Sequence, residues 1–290
     1  METMRGKDFF DPDGPPLCVF RMPLHEFSRS VHGHDCYELM IIREGEATHG
    51  INGKEYVLLP GDVYLMRPGD EHEIIVSPSG AIAESNVLFD FDRLDLNLRD
   101  LATVPGFHTL FSLEPSMREA TSFKARLRLN PEQLRKALDL IDELEYEQAK
   151  ELAGYQLKCI TLFLDLILFL SRAYEEVDRQ KVTHVQRIAE AVSYIEANFA
   201  ESVTLDELTQ RAHCSATQLR RIFQEVYGVS PHEYLTRTRI NRAMMMLRDS
   251  DRDVTSIALA CGYNDSNYFT RSFRKSTGLT PTAYRKRQAG

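Results

Sequence analysis

The sequence predicts a two-domain protein: a small β-barrel or sandwich carrying an antiparallel helix pair, followed by an all-α domain built from two copies of one helical unit. Three observations carry this expectation. Short runs rich in Val, Ile, Leu and Tyr fill residues 17–90 and are punctuated by Asn52-Gly53, Pro60-Gly61 and Pro68-Gly69, all turn dipeptides. Two long helical segments follow, over 130–150 and 155–177. From Ser215 onward the chain superposes on itself at an offset of 50 residues.

The 290 residues suffice for two domains with cores of their own, since single domains run to roughly 100–200 residues. Met1 to Phe10 has no basic stretch followed by an apolar run, so no secretory signal is expected. The longest apolar window, 160–170, contains Asp165 and falls short of the roughly 20 residues that a membrane span needs. Five scattered cysteines with no C-x-x-C argue against a disulfide framework and for reduced thiols in the cytoplasm. The net charge of −8 conceals an asymmetry: residues 1–180 carry 19 Lys and Arg against 32 Asp and Glu, residues 181–290 carry 16 against 11. Only the second part is suited to approach a polyanion.

In chain order, "DPDGPP" closes an N-terminal arm over residues 1–16, and the strands then begin. The stretch "VHGHDCYEL" holds His32, His34, Tyr37 and Glu38, and Gly45, Gly61, Gly69 and His72 follow. Imidazoles and a carboxylate suit a divalent transition metal, and equally suit the wall of a pocket that recognises a small molecule. Their spacing resembles the two cupin motifs, with departures: no glycine stands near Phe27, the proline is displaced by one residue to Pro68, and Val76 takes the place of the final asparagine. That resemblance implies a cupin-like barrel with His32, His34, Glu38 and His72 as a metal set; the departures argue against catalysis. Asn130 and Pro131 cap the first long helix, and Gly154 breaks it from the second. The second helix is too apolar for a free surface, so it should pack on the barrel, on the first helix and on a second subunit.

The repeat carries its own punctuation. Ser215 falls on Asp265, Leu219 on Phe269, Arg221 on Arg271, Phe223 on Phe273, Gly228 on Gly278, Ser230 on Thr280, Pro231 on Pro281 and Tyr234 on Tyr284. Thr204-x-x-Glu207 opens a first helix, Ser215-x-x-Gln218 a second, and Gly228 stops it. Two short helices across so tight a turn are a helix-turn-helix. The second copy turns at Gly262, restarts at Asp265 and stops at Gly278; between the copies, Ser230-Pro231 opens a long joining helix. Leu219, Ile222, Phe223 and Val226 form a core face. The opposite face shows Thr217, Arg220, Arg221 and Gln224, and in the second copy Ser266, Asn267, Thr270, Arg271 and Arg274. Arg, Asn and Gln can pair with base edges in the major groove, while Ser and Thr more often hold phosphates.

The segment from about 185 to 287, above all "SIALACGYNDSNYFTRSFRKSTGLTPTAYR", resembles the DNA-binding domain of the AraC/XylS family of bacterial transcription regulators. The resemblance implies two helix-turn-helices joined by one long helix and set in successive major grooves of double-stranded DNA. It puts base-reading positions on Thr217, Arg220 and Arg221 and on Ser266, Asn267 and Arg271. "GDVYLMRPGDEHE", "NVLFDFDRLDL" and "VPGFHTLFSLEP" resemble the subgroup responding to L-rhamnose. That implies a sugar-like effector in the barrel, with His32, His34, Tyr37, Glu38 and His72 as pocket residues. The expected organisation is an arm at 1–16, a cupin-like effector-binding and dimerisation domain at 17–177, a linker at 178–184 and a double helix-turn-helix domain at 185–290. Expected partners are DNA, a small effector, a second copy through the 130–177 helices and RNA polymerase; no cofactor is required, and a divalent metal is confined to the His/Glu set. The competing reading is a metal-dependent cupin enzyme fused to a DNA-binding module.

Overall fold

Alternation of apolar residues with turn dipeptides folds the first part of the chain into two facing sheets. The computed structural model describes residues 2–94, 98–120, 127–176 and 184–288. The chain divides into two units, Met1–Lys181 and Val182–Gly290. In the first, the strands are β1 (Glu2–Met4), β2 (Leu17–His25), β3 (Arg29–His34), β4 (Tyr37–Gly45), β5 (Ala47–Ile51), β6 (Lys54–Leu58), β7 (Asp62–Met66), β8 (Glu71–Ile75), β9 (Ile82–Phe89) and β10 (Leu127–Arg128). One sheet has the order β1-β3-β8-β5-β6 and the other β10-β7-β4-β9-β2. Asn52 and Gly53, at φ 49° and 77°, make the tight turn that pairs Ile51 with Lys54, because a primed hairpin turn needs positive φ at both central residues.

Side chains of a strand alternate between its faces, and β4 shows the result. Met40 and Ile42 enter the core between the sheets with Ile51, Leu58, Tyr64, Met66 and Ile74. Leu39 and Ile41 point the other way, into a larger core shared with helices. Those helices are α1 (Phe91–Leu94), α2 (Arg99–Ala102), α3 (Pro105–His108), α4 (Glu114–Ala120), α5 (Pro131–Lys150) and α6 (Tyr155–Glu176), with a π turn over Thr109–Leu113 between α3 and α4. Asn130 caps α5 through a capping box with Gln133, and Pro131 occupies its first turn. Ala137, Ile141 and Leu144 of α5 and Phe163, Leu166, Ile167 and Leu170 of α6 close the larger core over the sheet.

Gly106 marks the tightest helix contact: a Cβ there would stand 1.8 Å from the carbonyl oxygen of Ser171 on α6. Gly106→Ala is therefore expected to destabilise the first unit by about 1–3 kcal/mol, the usual cost of overpacking. Denaturant unfolding of the full chain would register it, and an unchanged midpoint would mean that α3 slides freely.

The stretch expected as an N-terminal arm lies on the barrel over its described part. β1 runs parallel to β3, pairing Thr3 with Gly33, and Gly6 N donates to Asp35 Oδ1 at 2.5 Å. Phe10 is buried with Cys36 and Leu88, and the Tyr155 hydroxyl meets Asp11 Oδ2 at 3.1 Å. The expected linker at 178–184 lies outside the described residues except for His184, which opens α7.

The second unit comprises α7 (His184–Ala197), α8 (Leu205–Ala212), α9 (Ala216–Tyr227), α10 (Pro231–Asp249), α11 (Val254–Ala260), α12 (Ser266–Thr277) and α13 (Pro281–Gln288). Thr204, Ser215, Ser230, Asp253 and Asp265 each cap a helix with their side chains. Not every arginine here is available to a ligand. Arg239 donates to the carbonyls of Phe199 and Glu201, and Arg242 pairs with Glu196 at 3.4 Å while nearly buried.

Candidate effector pocket and nucleic-acid interface

In the barrel, β3 brings His32 and His34, β8 brings His72 and β4 brings Glu38 to the same end of the space between the sheets. Register explains the meeting: His32 stands opposite His72 across β3 and β8, and Glu38 is the second residue of β4, just after the bend at Asp35 and Cys36. All four are buried, and the donor atoms of the three histidines lie within 4.8 Å of one another. Glu38 Oε2 is 3.0 Å from His34 Nε2 and 3.1 Å from His72 Nε2, and those two nitrogens are 3.1 Å apart. Burial opposes ionisation of Glu38, but His72 and His34 outweigh it and hold its carboxyl well below the usual range. Burial, reinforced by His72, lowers the pKa of His32.

His49 belongs to the cluster although the motif does not contain it: its Nε2 lies 3.0 Å from Nδ1 of His72. The signal was present in parity, since His49 alternates in step with Ala47 and Ile51, both buried. Asn86 is a second addition, facing Met40 across β4 and β9. Among the described residues, neither polar side-chain atom of Asn86, nor Glu38 Oε1, nor His34 Nδ1 has a hydrogen-bond partner. A cavity of about 360 Å³ is lined by Ile51, Asn52, Lys54, Tyr56, Gly69, Asp70 and Pro115, and by none of His32, His34, Glu38, His49, His72 or Asn86. Ile51 is the register partner of His72 and Tyr56 that of His49.

Tyr37 does not join this pocket. It precedes Glu38, so it faces the helices, where its ring stacks on Phe89 at 5.3 Å and meets Phe91 edge-on. The expectation that it lines the pocket is corrected by strand alternation.

In the second unit, the C-cap of α8 is His213, in the left-handed region at φ 46°, and Gly262 takes such a conformation at φ 79° in the second copy. A Cβ on Gly262 would come within 2.6 Å of the Ala200 carbonyl oxygen, so glycine is required there twice over. On α9, Thr217, Arg220, Arg221 and Gln224 are exposed, opposite buried Leu219, Ile222 and Phe223. Arg221 is held by Glu225 at 2.8 Å across one exposed turn. On α12, Ser266, Asn267, Arg271 and Arg274 are exposed; Thr270 is half-buried and donates its hydroxyl to the Ser266 carbonyl at 2.9 Å. A cleft of about 860 Å³ has walls from α10, with Thr236, Arg237 and Asn241, and from α12, with Arg271, Ser272 and Lys275.

A barrel with a buried polar cluster and two helix-turn-helix units in one chain fit a transcription regulator with a ligand-binding domain. Residues 14–167 match the family described as AraC-like ligand binding domain, and residues 208–287 match a helix-turn-helix domain family. The chain belongs to the AraC family. It is 27% identical over 280 residues to the HTH-type transcriptional activator RhaR of Escherichia coli K12, covering 96% of this chain and 94% of that one. A solved regulator with an AraC-type DNA-binding domain from Chromobacterium violaceum is 32% identical over 36% of this chain and 92% of its own, with a TM-score of 0.34. A ligand-free variant of ToxT from Vibrio cholerae aligns over 93% of this chain and 97% of its own, at 12% identity and a TM-score of 0.35. The relatives are regulators, so the reading as an enzyme fused to a DNA-binding module is set aside.

Proposed function

We propose that the barrel senses a sugar or sugar derivative and that its occupancy changes how the second unit engages double-stranded DNA. The observation that carries the sensing is the set of buried polar atoms lacking partners among the described residues: both polar atoms of the Asn86 side chain and Glu38 Oε1. A hydroxyl donates and accepts, so a polyol satisfies an amide and a carboxylate together. An apolar ligand would leave each unpaired, at about 1–3 kcal/mol apiece. The cavity of about 360 Å³ lies within the roughly 300–1,000 Å³ of small-molecule sites. The resemblance of residues 61–73, 86–96 and 104–115 to L-rhamnose-responsive regulators makes that sugar the first probe.

DNA contact is assigned to Thr217, Arg220, Arg221 and Gln224 and to Ser266, Asn267, Thr270, Arg271 and Arg274, on exposure, residue type and family resemblance. A homodimer through α5 and α6 is supported by Leu157, 72% exposed on α6, with half-buried Leu164 and Leu168 along the same helix. RNA polymerase is the further partner suited to an activator, and the cytoplasm the compartment suited to that work. No cofactor is required for DNA binding; a divalent transition metal would belong to the cluster of His32, His34, Glu38 and His72.

Effector control requires the sugar to bind the DNA-competent and incompetent arrangements with different affinities. Titrating the full chain with L-rhamnose and related sugars is expected to raise its melting temperature and shift operator affinity, read by fluorescence anisotropy. Asn86→Leu should remove both responses and leave DNA binding without sugar intact. A sugar panel that moves neither quantity would sink the sensing reading.

A further inference from the structure

The cleft of about 860 Å³ between α10 and α12 is lined by three cations, Arg237 on α10 and Arg271 and Lys275 on α12. All three are exposed, and among the described residues none of them is in an ion pair. Other arginines of this unit are held: Arg221 by Glu225 at 2.8 Å and Arg242 by Glu196 at 3.4 Å. Glu233, the acid among the lining residues, accepts from Ser230 N at 3.0 Å and from Ser230 Oγ at 2.8 Å. Those bonds are the main cause of its lowered pKa, and Lys275 and Arg237 add to the effect, so both cations face one space.

The repeat shows that this face is particular to the second copy. At the fifty-residue offset, Ile222 and Val226 of α9 correspond to Ser272 and Ser276 of α12, and Glu225 corresponds to Lys275. An apolar face edged by an acid has become a hydroxylated face edged by a cation. An α-helix with its side chains is about 10–12 Å across, and the major groove is about 12 Å wide. A helix that reads base edges with one face therefore meets sugar–phosphate with its flanks. At 3.6 residues per turn, Lys275 lies roughly 80° round α12 from Asn267, on the flank turned to the cleft. Arg237 and Asn241, four residues apart on α10 and both exposed, form the opposite wall.

We propose that this cleft grips the DNA backbone beside the groove that α12 enters, with Arg237 and Lys275 holding phosphates from opposite walls and Asn241 and Ser276 donating beside them. Arg and Lys supply charge, and Asn and Ser directed hydrogen bonds, which together are the common phosphate contacts. The joining helix is then a clamp as well as a spacer, and it sets the register of α12 on the duplex. The clamp rests on the assignment of α12 to a major groove, which Arg271→Ala tests separately.

The test uses the full chain, one duplex carrying the operator and one of unrelated sequence, and a salt series read by fluorescence anisotropy. Each phosphate contact steepens the fall of log affinity with log salt by about 0.9, which makes it worth about 8-fold more at 0.1 M salt than at 1 M. Arg237→Ala and Lys275→Ala are each expected to flatten the slope by about 0.9 on both duplexes, and together by about 1.8. Arg237→Lys, which keeps the charge, should retain the wild-type slope. Single phosphates beside the α12 half-site can also be replaced by neutral methylphosphonates. One such replacement should weaken the wild-type chain and leave Arg237→Ala unaffected. Wild-type slopes in both alanine variants overturn the clamp, and so does a loss confined to the operator, which would make Arg237 a reader of bases. If Arg271→Ala changes affinity for neither duplex, α12 is not in the groove and the clamp goes with it. If Arg271→Ala weakens operator binding while Arg237→Ala and Lys275→Ala are silent, the clamp alone fails.

Discussion

Replacing Phe273 with alanine is expected to cost the helix-turn-helix unit about 3–5 kcal/mol, the range for deleting a fully buried ring. Phe273 is 0% exposed, and its ring meets Phe269 at 5.7 Å and Tyr284 at 5.6 Å. It shares its core with Ile240, Ala243 and Leu247 of α10 and Ile257 of α11, so one side chain ties four helices. A domain's whole stability is about 5–15 kcal/mol, which leaves this unit little in reserve. Calorimetry on the full chain should show the transition of the second unit lowered, and footprinting should show the half of the operator under α12 lost first. A melting profile like that of the wild type would mean that α12 is held from elsewhere.

Arg271→Ala is expected to weaken binding to the cognate operator by about 5- to 150-fold, equivalent to 1–3 kcal/mol for one lost paired contact to a base. Binding to unrelated DNA should change far less. Equal loss on every sequence, with a salt slope shallower by about one, would assign Arg271 to the phosphate backbone instead. Its position on the wall of the α10–α12 cleft makes this control necessary. Arg221→Ala should show a smaller net effect, because Arg221 must first leave Glu225, which holds it at 2.8 Å.

What could be read from the chain follows the range of the forces involved. Asn52-Gly53, the capping boxes at Thr204 and Ser230, and the stops at Gly228 and Gly278 are local chemistry, and each was legible residue by residue. The convergence of His32, His34, Glu38 and His72 was legible through motif spacing. Tyr37 enters the expected pocket only through the family resemblance, whereas strand alternation turns it away from Glu38 and toward the helices. His49 was missed for the converse reason: it lies outside the motif, yet its parity with Ala47 and Ile51 sends it inward. β1 was not legible at all, since its pairing with β3 joins residues some thirty apart in sequence and three residues carry no periodic signal. The cleft between α10 and α12 depends on how two helices pack, which neither helix encodes alone.

β4 has a role that follows from its two faces. Glu38, Met40 and Ile42 look into the space between the sheets, while Tyr37, Leu39 and Ile41 press on the core that holds Ile141 and Phe163. The helix side is close-packed, and such packing has little compliance. A ligand that wedges Glu38 outward by a fraction of an ångström must therefore deflect Leu39 and Ile41 against α5 and α6. On the proposed sensing, the wall of the chamber would also be its diaphragm, one strand thick, and pressure applied from inside would emerge as strain between two helices.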